Sequence, residues 1–294
     1  MTLDLPAIPT IGSIKELGSR YKAWLVDIWG VMHNGHRAYP HAVAATRRFR
    51  ETGGIVVLLS NSPRPSPEVK DQLRHFGVPD DAYDASATSG DLTRHELAKH
   101  KGASVFHLGP ERDRPIFAGL DVKLAEPRDA ELIVCSGLFD DETETPEDYA
   151  ALLASLAAQK LPMICANPDH RVERGARLIY CAGALASAYA ALGGAVVYAG
   201  KPYAPIYALA LETIAGLAGR EVARGEVLAI GDGVLTDIAG AADFGLDAVF
   251  VASGLHMPAA AHAAKGDSLD GLRLAELFAG AKRWPLAAMG ALAW

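Results

Sequence analysis

Residues 24–30 read WLVDIWG, an apolar run that reaches an aspartate at position 27 and a glycine at position 30. A second run, IVVLLS over residues 55–60, is apolar at five consecutive positions and ends in a serine. Apolar runs without alternation are typical of parallel strands, which are buried on both faces. Segments with a helical period follow both runs, and the same alternation continues along most of the chain. The sequence therefore predicts an α/β fold built on a parallel sheet.

The predicted elements fall into two sets. In the first set, strands are predicted over residues 23–27, 55–60, 196–198, 227–230 and 248–251, and helices over residues 41–52, 67–76, 205–217 and 237–244. In the second set, strands are predicted near residues 104–108, 131–135 and 163–166, with a helix over residues 146–159. Because the second set interrupts the first, we expect two domains: a core formed by residues 1–88 and 195–294, and an inserted α/β domain formed by residues 89–194.

The composition is that of an ordinary globular protein, with 50% hydrophobic and 21% charged residues among 294. The net charge is -7 at pH 7, and lysine and arginine form no run longer than two residues. Since proteins that bind nucleic acid usually carry a basic face, we expect no nucleic-acid partner. An acidic run, DDETETPED over residues 140–148, is interpreted as a solvated loop followed by the start of a helix.

Two further patterns concern the membrane and the compartment. Residues 178–200 carry no charge and are long enough to span a bilayer. Alanine, glycine and tyrosine dominate this segment, and Gly193 and Gly194 interrupt it, so we expect a buried helix and a buried strand rather than a membrane span.

Cys135, Cys165 and Cys181 form no CxxC pair and lie in or beside apolar runs, which predicts buried, reduced thiols and a cytoplasmic protein.

Polar side chains follow four of the predicted strands. These side chains are Asp27, Ser60, Asn61, Lys201, Asp232 and Asp237. Open parallel sheets place their active sites at the carboxyl ends of the strands, so we expect these groups to act together. A strand-end carboxylate can attack a phosphoryl group, and a hydroxyl and a lysine can hold the phosphoryl oxygens. The remaining carboxylates can hold a hard cation, so the pattern indicates phosphoryl chemistry.

The order of these residues resembles the haloacid dehalogenase (HAD) superfamily, specifically its class IIA branch of sugar-phosphate, p-nitrophenyl phosphate and pyridoxal phosphate phosphatases. The resemblance extends from about residue 21 to residue 255. The matching motifs are Asp27, Ser60-Asn61, Gly200-Lys201-Pro202, the run GDGVLTD over residues 231–237, and Asn167-Pro168-Asp169 within the inserted segment. The resemblance implies a Rossmann-like parallel sheet core with an inserted α/β cap domain.

The resemblance also implies roles for these residues. Asp27 would be the nucleophile and a magnesium (Mg2+) ligand, together with Asp232, a water-mediated Asp237 and the backbone carbonyl of Trp29. Ser60 and Lys201 would bind the phosphoryl group, with Lys201 counted as catalytic. Asn61 would position the group, and Asn167 and Asp169 would bind substrate from the cap. The implied partner is a small phosphorylated molecule, and the implied assembly is a homodimer through the cap.

One position departs from the family pattern. Trp29 stands where the family has a second aspartate, which protonates the leaving group and then activates water. An indole N–H donates hydrogen bonds only and cannot take up a proton. His33, Asp237 or Asp169 is a candidate substitute for the proton transfer; alternatively, the substrate has a good leaving group or a bond other than a phosphate ester. The remaining alternative is a catalytically weak or silent phospho-ligand-binding protein of the same fold. We interpret Trp29 as packing against the cap.

Overall fold

The structure, a computed structural model, describes residues 8–174, 177–252, 269 and 271–294. The described chain divides into two compact units. The first unit contains the described residues of 1–60, 70–87 and 207–294, and the second contains residues 61–69 and 88–206. The division expected from the sequence, with an inserted domain over residues 89–194, stays a prediction.

The described elements alternate between strands and helices along both units. In chain order the strands are β1 (Ala23–Asp27), β2 (Ile55–Ser60), β3 (Ala85–Thr88), β4 (Ser104–Leu108), β5 (Lys123–Leu124), β6 (Leu132–Cys135), β7 (Met163–Cys165), β8 (Arg171–Arg174), β9 (Arg177–Tyr180), β10 (Val196–Tyr198), β11 (Val227–Gly231), β12 (Asp247–Val251) and β13 (Ala287–Met289). The helices are α1 (Lys15–Gly18), α2 (Pro40–Glu51), α3 (Ser66–Phe76), α4 (Ser89–Leu97), α5 (Ala150–Ala158), α6 (Ala182–Ala191), α7 (Ala204–Ala218), α8 (Ala239–Phe244) and α9 (Gly271–Leu277). Within these residues no helix is both long enough and apolar enough to cross a bilayer.

The first unit contains a six-stranded sheet in the order β13-β12-β11-β1-β2-β3. β1 pairs in parallel with both β2 and β11, and all five of its residues are buried. The chain continues from β1 to β2 on one side and returns through β11 on the other, so the strand order reverses beside β1. Trp24 of β1 stacks on Phe49 of α2 with ring centroids 3.9 Å apart, which fixes this helix against the sheet. The predicted α/β fold with a Rossmann-like parallel sheet is confirmed.

The second unit contains a five-stranded sheet in the order β10-β7-β6-β4-β5. The pairs that join these strands are parallel. Its core is built from apolar side chains of β4, β6 and β7 with residues of α5 and α6, among them Leu153 and Tyr189. Cys135, Cys165 and Cys181 are free and buried there, as predicted, and burial raises the pKa of the Cys135 thiol to about 12.

β10 differs from its prediction in two respects. The sequence grouped it with the first set of strands, but it pairs in parallel with β7 in the second sheet. It was expected to be buried, yet Val197 is 52% exposed. The reason is that α6 carries the chain from β7 back to the same sheet as a parallel crossover, which leaves β10 at the edge.

The acidic run over residues 140–148 is a loop without buried residues followed by a helical turn from Pro146, as predicted, and two of its carboxylates also bind arginines. Arg174 donates to Asp141 at 2.9 Å and to Glu142 at 2.7 Å, and Arg177 donates to Glu142 at 2.6 Å. Although burial alone would raise the pKa of Asp141, the hydrogen bonds from Arg174 and Arg112 hold it below its ordinary value. The run therefore binds the two-stranded sheet of β8 and β9 to this part of the second unit.

Candidate active site

Three aspartates converge at the carboxyl edge of the first sheet. Asp27 is the last residue of β1, Asp232 follows β11, and Asp237 lies in the π-helical turn Val234–Ile238. One carboxylate oxygen from each lies within 4.8 Å of the other two. Asp27 and Asp237 are buried and Asp232 is half-buried. The adjacency follows from the topology, because β1 and β11 are neighbours and end at the same edge.

Backbone and hydroxyl groups hold the Asp237 carboxylate. Its Oδ2 accepts the Gly233 N–H at 3.1 Å and the Thr236 hydroxyl at 3.3 Å. A Cβ on Gly231 would lie 2.2 Å from Asp237 Cγ, so this close approach requires a glycine. Thr236 was not among the predicted site residues. Its position directly before Asp237 in the sequence could have indicated that it belongs to the site.

Ser60 ends the neighbouring strand on the other side of β1. Asp27 is paired in register with Leu59, so Ser60 lies one residue beyond the nucleophile candidate along the same edge. Ser60 is 8% exposed. The first unit thus holds the three carboxylates and the Ser60 hydroxyl at this edge of the sheet.

The donor set fits a hard divalent cation. Carboxylates this close repel one another unless a positive charge lies among them. Oxygen ligands from a few aspartates, completed by water, are the environment that Mg2+ prefers in proteins. Asp27, Asp232 and Asp237 would hold such an ion. The contribution of the Trp29 carbonyl stays a prediction.

A second set of predicted residues lies in the second unit. The Asn61 side chain accepts the Lys201 N–H at Oδ1 (2.7 Å) and donates from Nδ2 to the Lys201 carbonyl (3.1 Å). The same Nδ2 donates to Asp169 Oδ1 at 2.9 Å. Asn61 is 5% exposed and Lys201 is 3% exposed. Asn61 therefore clamps the backbone of Lys201 and joins it to Asp169.

The Asn167-Pro168-Asp169 segment forms a turn that its own side chain stabilises. Asn167 Oδ1 accepts the Asp169 N–H at 3.0 Å. The Asp169 carbonyl in turn accepts the N–H of Gly183, in the first turn of α6, at 3.1 Å. The structure thus gives Asn167 a role in holding Asp169, whereas its predicted role in substrate binding stays a prediction.

Trp29 and His33 pack together in the loop after β1. Their rings meet edge to face with centroids 5.1 Å apart. A Cβ on Gly35 would lie 2.6 Å from Trp29 Cη2, and Gly35 has a φ of +82°, so the indole lies directly on this glycine. The contacts described for Trp29 are therefore to its own loop, and its predicted packing against the cap stays a prediction.

His33 does not suit the proton-transfer role considered for it. The residue is 1% exposed, and its Nδ1 accepts the Gly35 N–H at 3.0 Å. Burial lowers the pKa of His33 to about 4, because the imidazolium would be desolvated there. A neutral, enclosed imidazole is a poor proton donor near neutral pH, so burial and the lowered pKa argue against this candidate.

Comparisons with known proteins cover most of the chain. A family model described as haloacid dehalogenase-like hydrolase matches residues 24–123, and one described as HAD-hydrolase-like matches residues 198–272. The solved structure of a hydrolase of the haloacid dehalogenase-like family from Brucella suis 1330 is 47% identical in sequence. The match covers 96% of this chain and 99% of that chain, with a TM-score of 0.84.

Two curated bacterial proteins are more distantly similar. The 5'-nucleotidase YutF of Bacillus subtilis (strain 168) is 27% identical over 238 residues, which cover 80% of this chain and 88% of the relative. The acid sugar phosphatase of Staphylococcus aureus (strain USA300) is 29% identical over 244 residues, with the same two shares covered. The similarity therefore spans most of the length of each protein.

Proposed function

Since the chain belongs to the haloacid dehalogenase-like family of hydrolases, we propose that it is a magnesium-dependent phosphatase of a small phosphorylated molecule. The family predicted from the sequence motifs is confirmed. The observation that carries the proposal is the convergence of the Asp27, Asp232 and Asp237 carboxylates within 4.8 Å. The names of the curated relatives, a 5'-nucleotidase and an acid sugar phosphatase, support phosphate esters as substrates.

In the proposed reaction the Asp27 carboxylate attacks phosphorus, and the bond to the leaving-group oxygen breaks as the aspartyl-phosphate forms. Water then attacks this phosphoryl group, which releases inorganic phosphate and restores Asp27. Ser60 and Lys201 would donate hydrogen bonds to the phosphoryl oxygens. Magnesium bound by Asp27, Asp232 and, through water, Asp237 would offset the negative charge of the phosphoryl group.

The leaving group is a further part of the proposal. Trp29 cannot supply a proton, and His33 is enclosed and neutral. General acid assistance matters most when the departing oxygen is strongly basic. We therefore propose that the enzyme is fastest on phosphates whose leaving group is stable without a proton, such as aryl, enol or acyl phosphates.

Replacement of the nucleophile tests the function. A panel of aryl, alkyl and acyl phosphates is assayed with magnesium and with EDTA, for the unsubstituted protein and for Asp27→Asn. Asp27→Asn should abolish turnover, because an amide of the same size is a far weaker nucleophile. Asp121→Asn makes the same chemical change at an exposed turn and should retain activity.

Two results would contradict the proposal. Retention of most activity by folded Asp27→Asn would remove covalent catalysis from this residue. Tight binding of phosphate esters without turnover of any of them would instead support the silent phospho-ligand-binding alternative. The phosphatase names of the curated relatives make turnover the favoured outcome.

For the assembly, we propose a homodimer that forms through β10. Among the described strands β10 pairs only with β7, so its outer edge offers backbone N–H and C=O groups to another strand. Val197 is 52% exposed, and residues 178–200 carry no charge that would oppose such pairing. A second copy of the same strand would extend the sheet.

For the compartment, we propose the cytoplasm. Cys135, Cys165 and Cys181 are free and buried. Reducing compartments keep thiols in this state, whereas secreted proteins usually use cysteines in disulfides.

A further inference from the structure

The loop that follows β2 is held rigidly within the second unit. The Ser62 carbonyl accepts the Gly90 N–H of α4 at 3.0 Å. The Ser66 N–H donates to Asp91 Oδ1 at 2.9 Å, and the Arg64 N–H donates to Ser62 Oγ at 3.2 Å. Residues 61–66 are therefore fixed to the first turn of α4. The same loop carries Asn61, which clamps the Lys201 backbone.

Arg64 projects from this loop beside a buried carboxylate. Its Nε lies 3.8 Å from Asp113 Oδ1, and the Asp113 side chain is 3% exposed, whereas that of Arg64 is 31% exposed. At 3.8 Å this is an ion pair without a hydrogen bond. Within the described part of the chain the Arg64 guanidinium donates no hydrogen bond to protein. The guanidinium is thus held near Asp113 by charge, and the exposed part of the side chain can donate hydrogen bonds to a ligand.

Asp113 is a buried carboxylate with Arg64 as a nearby cation. Burial raises the pKa of Asp113, while the charges of Arg112 and Arg64 and the Ser136 side chain act to lower it. Ser136 Oγ lies 2.9 Å from His107 Nε2. Ser136 follows β6 and His107 lies near the end of β4, so both side chains belong to the carboxyl edge of the second sheet.

We propose that Arg64 binds a second anionic group of the substrate, a carboxylate or a second phosphate, and that Asp113 is its positioning residue. The inference rests on the proposed function, in which Lys201 binds the phosphoryl group. A planar guanidinium fork matches either oxyanion through paired hydrogen bonds. Asn61 and Arg64 are three residues apart, so their Cα atoms lie within about 11 Å. The preferred substrate is therefore a small phosphate ester with two anionic ends.

Matched pairs of probes test this specificity. 3-Phosphoglycerate and glycerol 3-phosphate differ by a carboxylate, and fructose 1,6-bisphosphate and fructose 6-phosphate differ by a phosphate. Their affinities are measured calorimetrically with magnesium on Asp27→Asn, in which the proposed turnover is abolished. At least one probe with two anionic groups should bind about 10- to 100-fold more tightly than its matched partner, as expected for charge-assisted hydrogen bonds.

Second substitutions in the same protein assign the effect to Arg64. Arg64→Gln should abolish the preference, and Arg64→Lys should keep part of it, because lysine retains the charge but not the fork. Asp113→Asn should reduce the preference while the affinity for glycerol 3-phosphate stays unchanged. Arg128→Gln, at a side chain that is 85% exposed, is the control and should leave the preference intact.

Any of three results would overturn the inference. They are equal affinities within both probe pairs, a preference that survives Arg64→Gln, and no binding of any probe at millimolar concentration. The two probe pairs distinguish a carboxylate from a second phosphate as the recognised group. Failure of the unsubstituted protein to hydrolyse any ester would contradict the proposed function without affecting this binding comparison.

Discussion

At the scale of single residues, Trp29 matters because it stands where a proton donor to the leaving group would be expected. Its indole lies on Gly35 and against the edge of His33, and neither neighbour supplies a group that exchanges protons near neutral pH. The proton needed by a basic leaving group must then come from another residue or from water. Position 29 is therefore the most informative site for a single substitution.

Trp29→Asp should raise the turnover of alkyl phosphates about tenfold, because it supplies the missing acid. The gain for p-nitrophenyl phosphate should be smaller, because its leaving group is stable without a proton. The measurement is kcat/KM on both esters, with Trp29→Phe as the control that changes the ring but adds no acid. Equal changes on both esters would mean that the acid comes from elsewhere, and a loss on both would give the indole a role of its own.

His33, in the same loop, makes the free energy of unfolding of the protein depend on pH. Burial lowers its pKa to about 4, whereas an unfolded histidine titrates near 6.5. Between these values the unfolded chain binds more protons than the folded chain. The contribution of neutral His33 to the free energy of unfolding is therefore fully present above pH 6.5 and is lost as the pH falls toward 4.

His33→Gln should remove this dependence. Between pH 7 and pH 5 the free energy of unfolding of the unsubstituted protein should fall by about 2 kcal/mol more than that of the variant. Denaturant titrations at each pH measure the difference. His36→Gln, at an exposed position in the same loop, is the control. The same pH slope in all three proteins would show that His33 titrates normally in the folded state.

At the scale of elements, the two edges of the second sheet differ in character. β5, at one edge, has two residues and includes Lys123, whereas β10, at the other, is uncharged and presents Val197 to solvent. Short or charged edge strands oppose pairing, and apolar edges favour it. The edge formed by β10 is therefore the one proposed to bind a second copy.

Val197→Lys should convert the proposed dimer to a monomer, because two lysines would face each other across the new strand pair. Leu124→Lys, at an exposed apolar position on β5, is the matched control and should leave the dimer unchanged. Light scattering after size-exclusion chromatography measures both masses. A monomeric unsubstituted protein, or a dimer that survives Val197→Lys, would contradict pairing through β10.

At the scale of the whole molecule, the aspartate cluster should link metal binding to folding. A cation that binds only the folded state stabilises it by an amount that grows with its concentration. Magnesium at 100 times its dissociation constant should add about 2.7 kcal/mol. For a protein of this size the expected rise in Tm is about 5 °C.

Asp232→Asn should abolish most of this rise, whereas Asp121→Asn should retain it, because only the first removes a carboxylate of the cluster. Thermal unfolding with magnesium chloride, and with sodium chloride at equal ionic strength, separates binding from screening. EDTA should reverse the effect. An identical rise for Asp232→Asn would place the ion elsewhere.

The sequence predicted much of the first sheet and of its carboxyl edge. The uninterrupted runs before Asp27 and Ser60 indicated parallel strands, and parallel strands end at one edge of their sheet. Asp232 could be placed there for the same reason. The structure locates Asp27, Asp232 and Asp237 within 4.8 Å of one another, while their roles stay proposals.

By itself the sequence determined the fold class, most element positions and the family, since each depends on a local pattern or a motif of fixed spacing. Only the tertiary structure decided which sheet β10 joins and that His33 is enclosed. The same holds for the ion pairs of Asp141 with Arg174 and of Asp113 with Arg64. These features depend on contacts between residues distant in sequence, or on the burial that such contacts create. Burial and distant charges then set the pKa values and the available hydrogen bonds, which no local pattern encodes.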